Sequence, residues 1–353
     1  MTAAEGNGAR PAVDETDRRY LMRLIFGTMA AQTVGTAARL GVVDALGDGE
    51  RAAEEVAADC GAQPQAMLRL LRAMAGLELL IEPRPGFFRA TSAGGLLGTG
   101  HSGSHAMLAK VFTDPQMVRA WEDLPGAVRS GEPAFPHVFG KGFFERLEEL
   151  PELSAEFNAS MSEAARATAA VLPDCYDFGR YRTVVDVGGG DGTLLAAVLR
   201  AFPSLRGIVH DTSHGLAQAA ETMERAGVAD RFSAVTGDFF ASVPEGGDLY
   251  LLKSVIHDWN DEQCVTILRN CRDVLPVDGR VLIVETVLPS TVDLAVAGWY
   301  LSDLNMLVNL GGRERTQEDF TVLCEQAGFT APSITSLPAP NTFSLIEASP
   351  RPS

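Results

Sequence analysis

Val184–Leu199 reads VVDVGGGDGTLLAAVL, and no other stretch constrains the chain as much. A β-branched apolar run is followed by three glycines, an aspartate, a fourth glycine and a second apolar run. The first run favours a strand, and the glycines permit a tight turn with backbone close to a ligand. Strand, glycine turn and helix in that order put N–H groups and a helix N-terminus at the carboxyl end of a strand. In a doubly wound sheet, that edge is where ligands bind.

The alternation continues along the chain. From Arg182, the runs TVVDVG, RGIVHD, FSAVTGDF, DLYLLKSVI and GRVLIVETV are separated by helical stretches. This predicts an α/β core, Rossmann-like and doubly wound, over 181–353, with helices on both faces of a mainly parallel sheet. Residues 106–180 read as helices that contribute to a substrate pocket. Further upstream, YLMRLIFGTMAAQTVGTAARLGVVDAL, AAEEVAADCG and QPQAMLRLLRAMAGL have helical spacing, and ELLIEPRPGFFRAT reads as a hairpin. Helix, turn, helix and hairpin form a winged-helix-like pattern. The expected division is therefore 1–105, mostly helical, and 106–353, with a loose polar start over the first ~15 residues.

Charge excludes several partners. The net charge is −17 over 353 residues. Between Asp44 and Arg89, where a winged helix would dock on DNA, there are eight acidic residues, five arginines and no lysine. Such a surface repels phosphate, so no nucleic-acid binding is expected and the module reads as a packing or dimerisation unit. No run of ~18 apolar residues occurs, so no membrane span is expected. The five scattered cysteines lack a Cys-x-x-Cys pair. They read as free thiols of a reducing cytoplasm, and the N-terminus lacks the apolar core of a secretion signal.

Gly188, Gly190 and Gly192 depart from the G-x-G-x-x-G spacing of a pyrophosphate site. Their neighbours point elsewhere. Asp211 ends the second strand, where a carboxylate can accept ribose hydroxyls. Asp238 ends the third and can accept from an adenine amino group, with the Phe239 ring beside it. Asp186 and Asp191 add negative charge. Carboxylates gathered around a glycine turn suit a cationic ligand better than a diphosphate. Plainer readings stand beside these: turn or cap roles for Asp211 and Asp238, and core packing for Phe239. The paired histidines 101/105 and 210/214 sit among turn-forming residues, so no metal is expected.

DVGGGDG, GDFF, LKSVIHDWND, VLIVET and GGRERTQEDF occur in that order. In this the chain resembles, over nearly its whole length, the small-molecule O-methyltransferases that use S-adenosylmethionine in plant phenylpropanoid and bacterial antibiotic pathways. The resemblance implies a homodimer intertwined through the N-terminal module, and no metal requirement. It implies that Gly188 lies against the cofactor, that Asp211 binds its ribose, that Asp238 with Phe239 holds the adenine, and that Lys253 contacts the cofactor. Asp186 and Gly190 belong to the same cofactor-binding set. It further implies His257 as general base, Glu285 and Glu314 as the carboxylates orienting it, and Phe157, Met161 and Asn309 as lining for an aromatic acceptor. The family more often has Leu-Pro after the acid of the second strand, where this chain has VHDTSHG; Asp211 itself is retained.

The chemistry asks for such residues. A phenol of pKa about 10 is a poor nucleophile at neutral pH, and an imidazole can take its proton. The competing expectations are a related enzyme that hydroxylates or decarboxylates around a structural cofactor, a nicotinamide dehydrogenase, and a metabolite-binding winged-helix regulator.

Overall fold

The runs TVVDV, LYLLK and RVLIVE become strands because their side chains are buried on both faces, and the intervening amphipathic stretches become the helices that bury them; FSAVT is largely exposed. The computed structural model describes residues 14–101 and 103–352. The polar start expected to be loose falls largely outside them. The chain divides into two units, Met1–Thr113 and Asp114–Ser353.

The first unit holds α1 (Glu15–Ile25), α2 (Gly27–Arg39), α3 (Val42–Leu46), β1 (Arg51–Ala52), α4 (Ala53–Asp59), α5 (Pro64–Gly76), β2 (Leu80–Arg84), β3 (Phe87–Ala90), α6 (Ser92–Gly95) and α7 (Ala106–Phe112). The helix–turn–helix–hairpin expected from sequence is α4, α5, β2 and β3, with β1 added to give the sheet order β1-β3-β2. Pro64 opens α5, where its missing N–H has no helical partner to lose. The expected boundary after 105 moves to 113. The reason is that α7 belongs with α2: Arg39 donates to Thr113 Oγ1 at 2.9 Å, and the Gln32 amide donates to Thr113 O at 3.2 Å. The long helical stretch from Tyr20 is broken at Phe26 and again at Leu40–Gly41.

The second unit begins with α8 (Pro115–Ala120), α9 (Leu124–Ser130), α10 (Ala134–Phe139), α11 (Phe143–Glu148), α12 (Pro151–Ala169) and α13 (Leu172–Cys175). The core follows: β4 (Thr183–Val187), α14 (Thr193–Ala201), β5 (Arg206–Asp211), α15 (Ala219–Ala226), β6 (Phe232–Thr236), β7 (Leu249–Lys253), α16 (Asp261–Val274), β8 (Arg280–Glu285) and β9 (Val287–Leu288). It closes with α17 (Ala297–Asn309), β10 (Arg315–Thr316), α18 (Gln317–Gln326), β11 (Ser333–Ser336) and β12 (Ser344–Ala348).

The main sheet runs β11-β12-β8-β7-β4-β5-β6. The five strands β8, β7, β4, β5 and β6 are parallel, with β6 at one edge, and β12 and β11 add antiparallel at the other. Two apolar clusters cover its faces, one around Leu252 and Ile267 and the other around Val184 and Leu195. The chain steps from β4 outward to β6, then returns to place β7 on the other side of β4. The order reverses there, and the carboxyl ends of β4 and β7 part to leave a crevice. A separate two-stranded parallel pair, β9 with β10, ties the chain after β8 to the chain before α18.

Candidate active site

The crevice is a cavity of about 380 Å³ in the second unit. The glycine turn after β4 forms its floor. Gly188 has φ +70°, and a Cβ there would stand 2.7 Å from Val255 Cγ2. Only glycine fits between the two strand ends. Asp211 caps this turn from the end of β5: its Oδ2 accepts from Gly190 N–H at 2.9 Å and its Oδ1 from Thr212 N–H at 2.6 Å. Asp238 Oδ1 accepts from Phe240 N–H at 2.8 Å, so it also shapes a turn. The adjoining Phe239 carbonyl takes the Asn270 amide at 2.8 Å, and its ring meets Trp259 edge-on.

Asp186, Gly188, Gly190, Asp211, Asp238, Phe239 and Lys253 all line the cavity, together with Phe157 and Met161 from α12. These nine residues are thus brought together as the sequence anticipated. Asn309 is not among the lining residues. It is buried at the end of α17, where its amide donates to Asn305 Oδ1 at 2.8 Å and Asn305 O at 3.2 Å. Asn305 Oδ1 also takes the Trp121 indole N–H at 3.3 Å. One helical turn of self-bonding and the α17 packing hold the Asn309 carboxamide away from the cavity.

The lining is strongly acidic. Burial, aided by Asp211 and Asp191, pushes the Asp186 carboxyl up to about 7. Its Oδ2 is buried without a hydrogen-bond partner. Lys253 is the nearest cation; burial lowers its pKa, and its Nζ sits 4.8 Å from the Phe343 ring centre. An orphaned carboxylate oxygen, a glycine cradle and two further acids at successive strand ends fit a ligand with a cationic centre, a ribose and an adenine, as S-adenosylmethionine has.

Behind this lining stands the proposed acid–base group. β7 ends at Lys253, Ser254 takes φ +55°, and a short turn over Ile256–Asp258 carries His257. Imidazole Nδ1 lies 3.2 Å from Glu314 Oε1 and 3.7 Å from Glu285 Oε2, and Nε2 lies 3.4 Å from Asp258 Oδ1. Ser302 Oγ donates to Glu314 Oε1 at 2.9 Å, and Glu314 N–H donates to Asp303 Oδ1 at 2.8 Å. Glu285 does more than face the ring. Its Oε1 accepts from Val255 and Ile256 N–H, both at 2.9 Å, so it fastens the turn as well. Burial alone would lower the His257 pKa, but Glu285, Asp258 and Glu314 together raise it to about 10.

Sequence reasoning did not assign Asp258, Gly312 or Arg315. Asp258 lines the cavity directly in front of the imidazole, and burial pushes its carboxyl up to about 7. A Cβ on Gly312 would stand 2.1 Å from His257 O, and Arg315 is 1% exposed beneath the same turn. All three lie inside motifs quoted above, HDW and GGRERT. The available signal was the spacing of those motifs, not any property of the single residues.

A doubly wound sheet with an acidic glycine crevice and a carboxylate-flanked histidine beside it defines a nucleoside-cofactor transferase. Residues 121–330 match the model of the O-methyltransferase domain, and residues 22–100 match the O-methyltransferase dimerisation domain. The chain belongs to this family and is an S-adenosylmethionine-dependent O-methyltransferase. It is 46% identical over 337 residues to O-demethylpuromycin-O-methyltransferase of Streptomyces alboniger, covering 94% of this chain and 88% of that one. The crystal structure of LaPhzM superposes with a TM-score of 0.87 at 38% identity, over 94% of this chain and 99% of that one. An O-methyltransferase from neocarzinostatin biosynthesis (NcsB1), solved with S-adenosylmethionine and 2-hydroxy-5-methyl naphthoic acid, superposes at 0.78 with 31% identity, over 91% and 95%.

Replacing Gly188 by Ala forces a side chain into a left-handed backbone and against Val255. Strain of this kind costs about 1–3 kcal/mol. In a calorimetric titration with S-adenosylhomocysteine, Gly188→Ala is expected to weaken binding by about tenfold or more. Unchanged affinity would place the cofactor elsewhere.

Proposed function

We propose that the protein methylates a phenolic hydroxyl of an aromatic natural product in secondary metabolism, with His257 as general base. The observation that carries this reading is the imidazole held between Glu314 and Asp258, the second of which lines the cavity while His257 itself does not. S-adenosylmethionine, when bound, supplies a methyl group on a sulfonium. The chain's own residues supply its seat, the alignment and the proton acceptor. Gly188 and Gly190 permit close approach. Asp211 and Asp238 retain free lone pairs for the ribose and adenine, since each carboxylate oxygen can accept more than once. Asp186 offers its unpartnered oxygen to positive charge. Phe157 and Met161 give the acceptor an apolar wall.

His257 keeps its Nδ1 proton toward Glu314 and offers Nε2, on the Asp258 side, to the phenol. Neutral imidazole in this setting is a stronger base than a free one, because the imidazolium it becomes is flanked by Glu285, Asp258 and Glu314. Its proton affinity then approaches that of a phenolate. The same charges keep the resting ring protonated below its raised pKa, so the base is formed as pH rises. The rate kcat/KM is expected to climb from pH 6 through pH 9, above the ordinary histidine midpoint of about 6.5. Glu314→Gln removes one of the three flanking charges and moves the climb toward lower pH. His257→Gln is expected to lower kcat by about 10²–10⁴-fold. O-demethylpuromycin, the acceptor named for the Streptomyces relative, is the first to assay with methyl-labelled cofactor. A rate that falls between pH 6 and 9 contradicts His257 as the base.

The N-terminal module supports a homodimer. α1 has no buried residue, yet Tyr20, Leu21, Met22, Leu24 and Ile25 are between 43% and 65% exposed. An apolar surface of this kind on one helix calls for a cover. Together, Leu24→Asp and Ile25→Asp are expected to convert a dimer to a monomer in light scattering. A wild-type monomer would refute the assignment.

A further inference from the structure

The turn that carries His257 has little to hold it from within. Its own backbone bonds are long: Asp258 N–H to Val255 O at 3.2 Å and Trp259 N–H to Ile256 O at 3.4 Å. On one side Glu285 takes its N–H groups. On the other side the carbonyls of Ile256 and Trp259 converge on one buried guanidinium, with the Cys264 thiol donating more weakly to the same two oxygens at 3.2 and 3.4 Å. Arg315 Nη1 donates to Ile256 O at 2.7 Å, and Nη2 donates to Trp259 O at 2.8 Å. The fork thus spans the carbonyls on either side of the His257–Asp258 pair. Its remaining hydrogens are used too, on Arg313 O at 3.2 Å and on Asp261 Oδ1 at 2.7 and 3.2 Å.

Gly312 closes the same contact three residues earlier. A Cβ there would meet His257 O, Asp258 C at 2.4 Å and Trp259 N at 2.6 Å. Gly312 and Arg315 therefore lie flat on the backbone of the turn, and Glu314 between them faces the ring. A buried cation costs several kcal/mol unless it is fully paired, so each of these bonds stabilises the arrangement. Lysine cannot replace it, since an ammonium lacks the planar fork that reaches two divergent carbonyls.

We propose that Arg315 is a positioning residue for methyl transfer, its guanidinium fixing the turn so that the His257 imidazole faces Glu314 on one nitrogen and Asp258, which lines the cavity, on the other. The proposal rests on the reading of His257 as base. Arg231 supplies the comparison. It too caps carbonyls, those of Leu199, Phe202 and Leu205 at 2.8, 3.2 and 3.0 Å, yet it has no link to His257.

The test uses variants that leave formal charge unchanged: Arg315→Lys, Gly312→Ala and Arg231→Lys. The His257 ring is titrated by NMR in histidine-labelled full-length protein, with His257→Gln giving the assignment. Melting temperature and S-adenosylhomocysteine affinity report the fold and the cofactor seat. The groups facing the ring are Glu285, Glu314 and Asp258. Loosening the turn separates Nδ1 from these carboxylates, so Arg315→Lys and Gly312→Ala should each lower the proton affinity of His257 by about tenfold or more, toward the ordinary value. S-adenosylhomocysteine should still bind within about threefold of wild type. Arg231→Lys should lower the melting temperature and leave the His257 titration in place. Gly312→Ala gives the answer if Arg315→Lys does not fold. A wild-type His257 titration in either folded variant overturns the proposal. Loss of turnover in His257→Gln is read separately, so failure of the base assignment is distinguishable from failure of the positioning one.

Discussion

The Glu285 carboxylate governs the arrangement of the catalytic edge. It is fully buried at the end of β8, where an unpaired charge would be prohibitive. One oxygen collects the N–H groups of Val255 and Ile256, which follow the neighbouring strand β7. Hydrogen bonds to a charged group contribute about 1.5–3 kcal/mol each, roughly twice a neutral one. The other oxygen faces the His257 ring. The same side chain therefore joins two strands of the sheet, shapes the turn between β7 and α16, and raises the proton affinity of His257. The β9–β10 pair extends this logic, since it begins two residues beyond Glu285 and one beyond Glu314 and so draws both acids to one place.

Much of this was legible in the sequence, for identifiable reasons. The strands β4, β7 and β8 were found because burial on both faces demands continuous apolar runs, whereas β6, largely exposed at the sheet edge, was found through its place in the strand–helix alternation. The glycine turn and its acids were found because their positions are tied to strand ends. The breaks at Phe26 and Gly41 were missed, since the helical period continues across them. The shift of the boundary to Thr113 depends on tertiary bonds from Arg39 and Gln32, which leave no local mark. The strand β11 reads SITS, polar and largely exposed, and it exists only because β12 offers it an edge.

The site was read in part. Residues that meet the cavity through strand ends or through the α12 stripe fell where expected. Asn309 did not, because its side chain is satisfied by Asn305 one turn back. Arg315 was not assigned, because nothing local in GGRERT marks this arginine as buried. Its role arises when β10 turns it under the His257 segment, a consequence of long-range pairing. Asp258 shares that history. Adjacent in sequence to His257, it lies between the imidazole and the cavity because the short turn over Ile256–Asp258 brings the two side chains together.

The acid-rich lining has a further consequence for turnover. Asp186, Asp211 and Asp238 face a cavity with Lys253 as the nearby cation. Transfer of a methyl group from a sulfonium leaves a neutral thioether, so the spent cofactor carries one positive charge fewer than the fresh one. Fixed carboxylates hold a cation more firmly than its neutral product. With the cofactor seated on this wall as proposed, the grip relaxes once the methyl group has left, and a single charge separates a loaded crevice from one ready to empty.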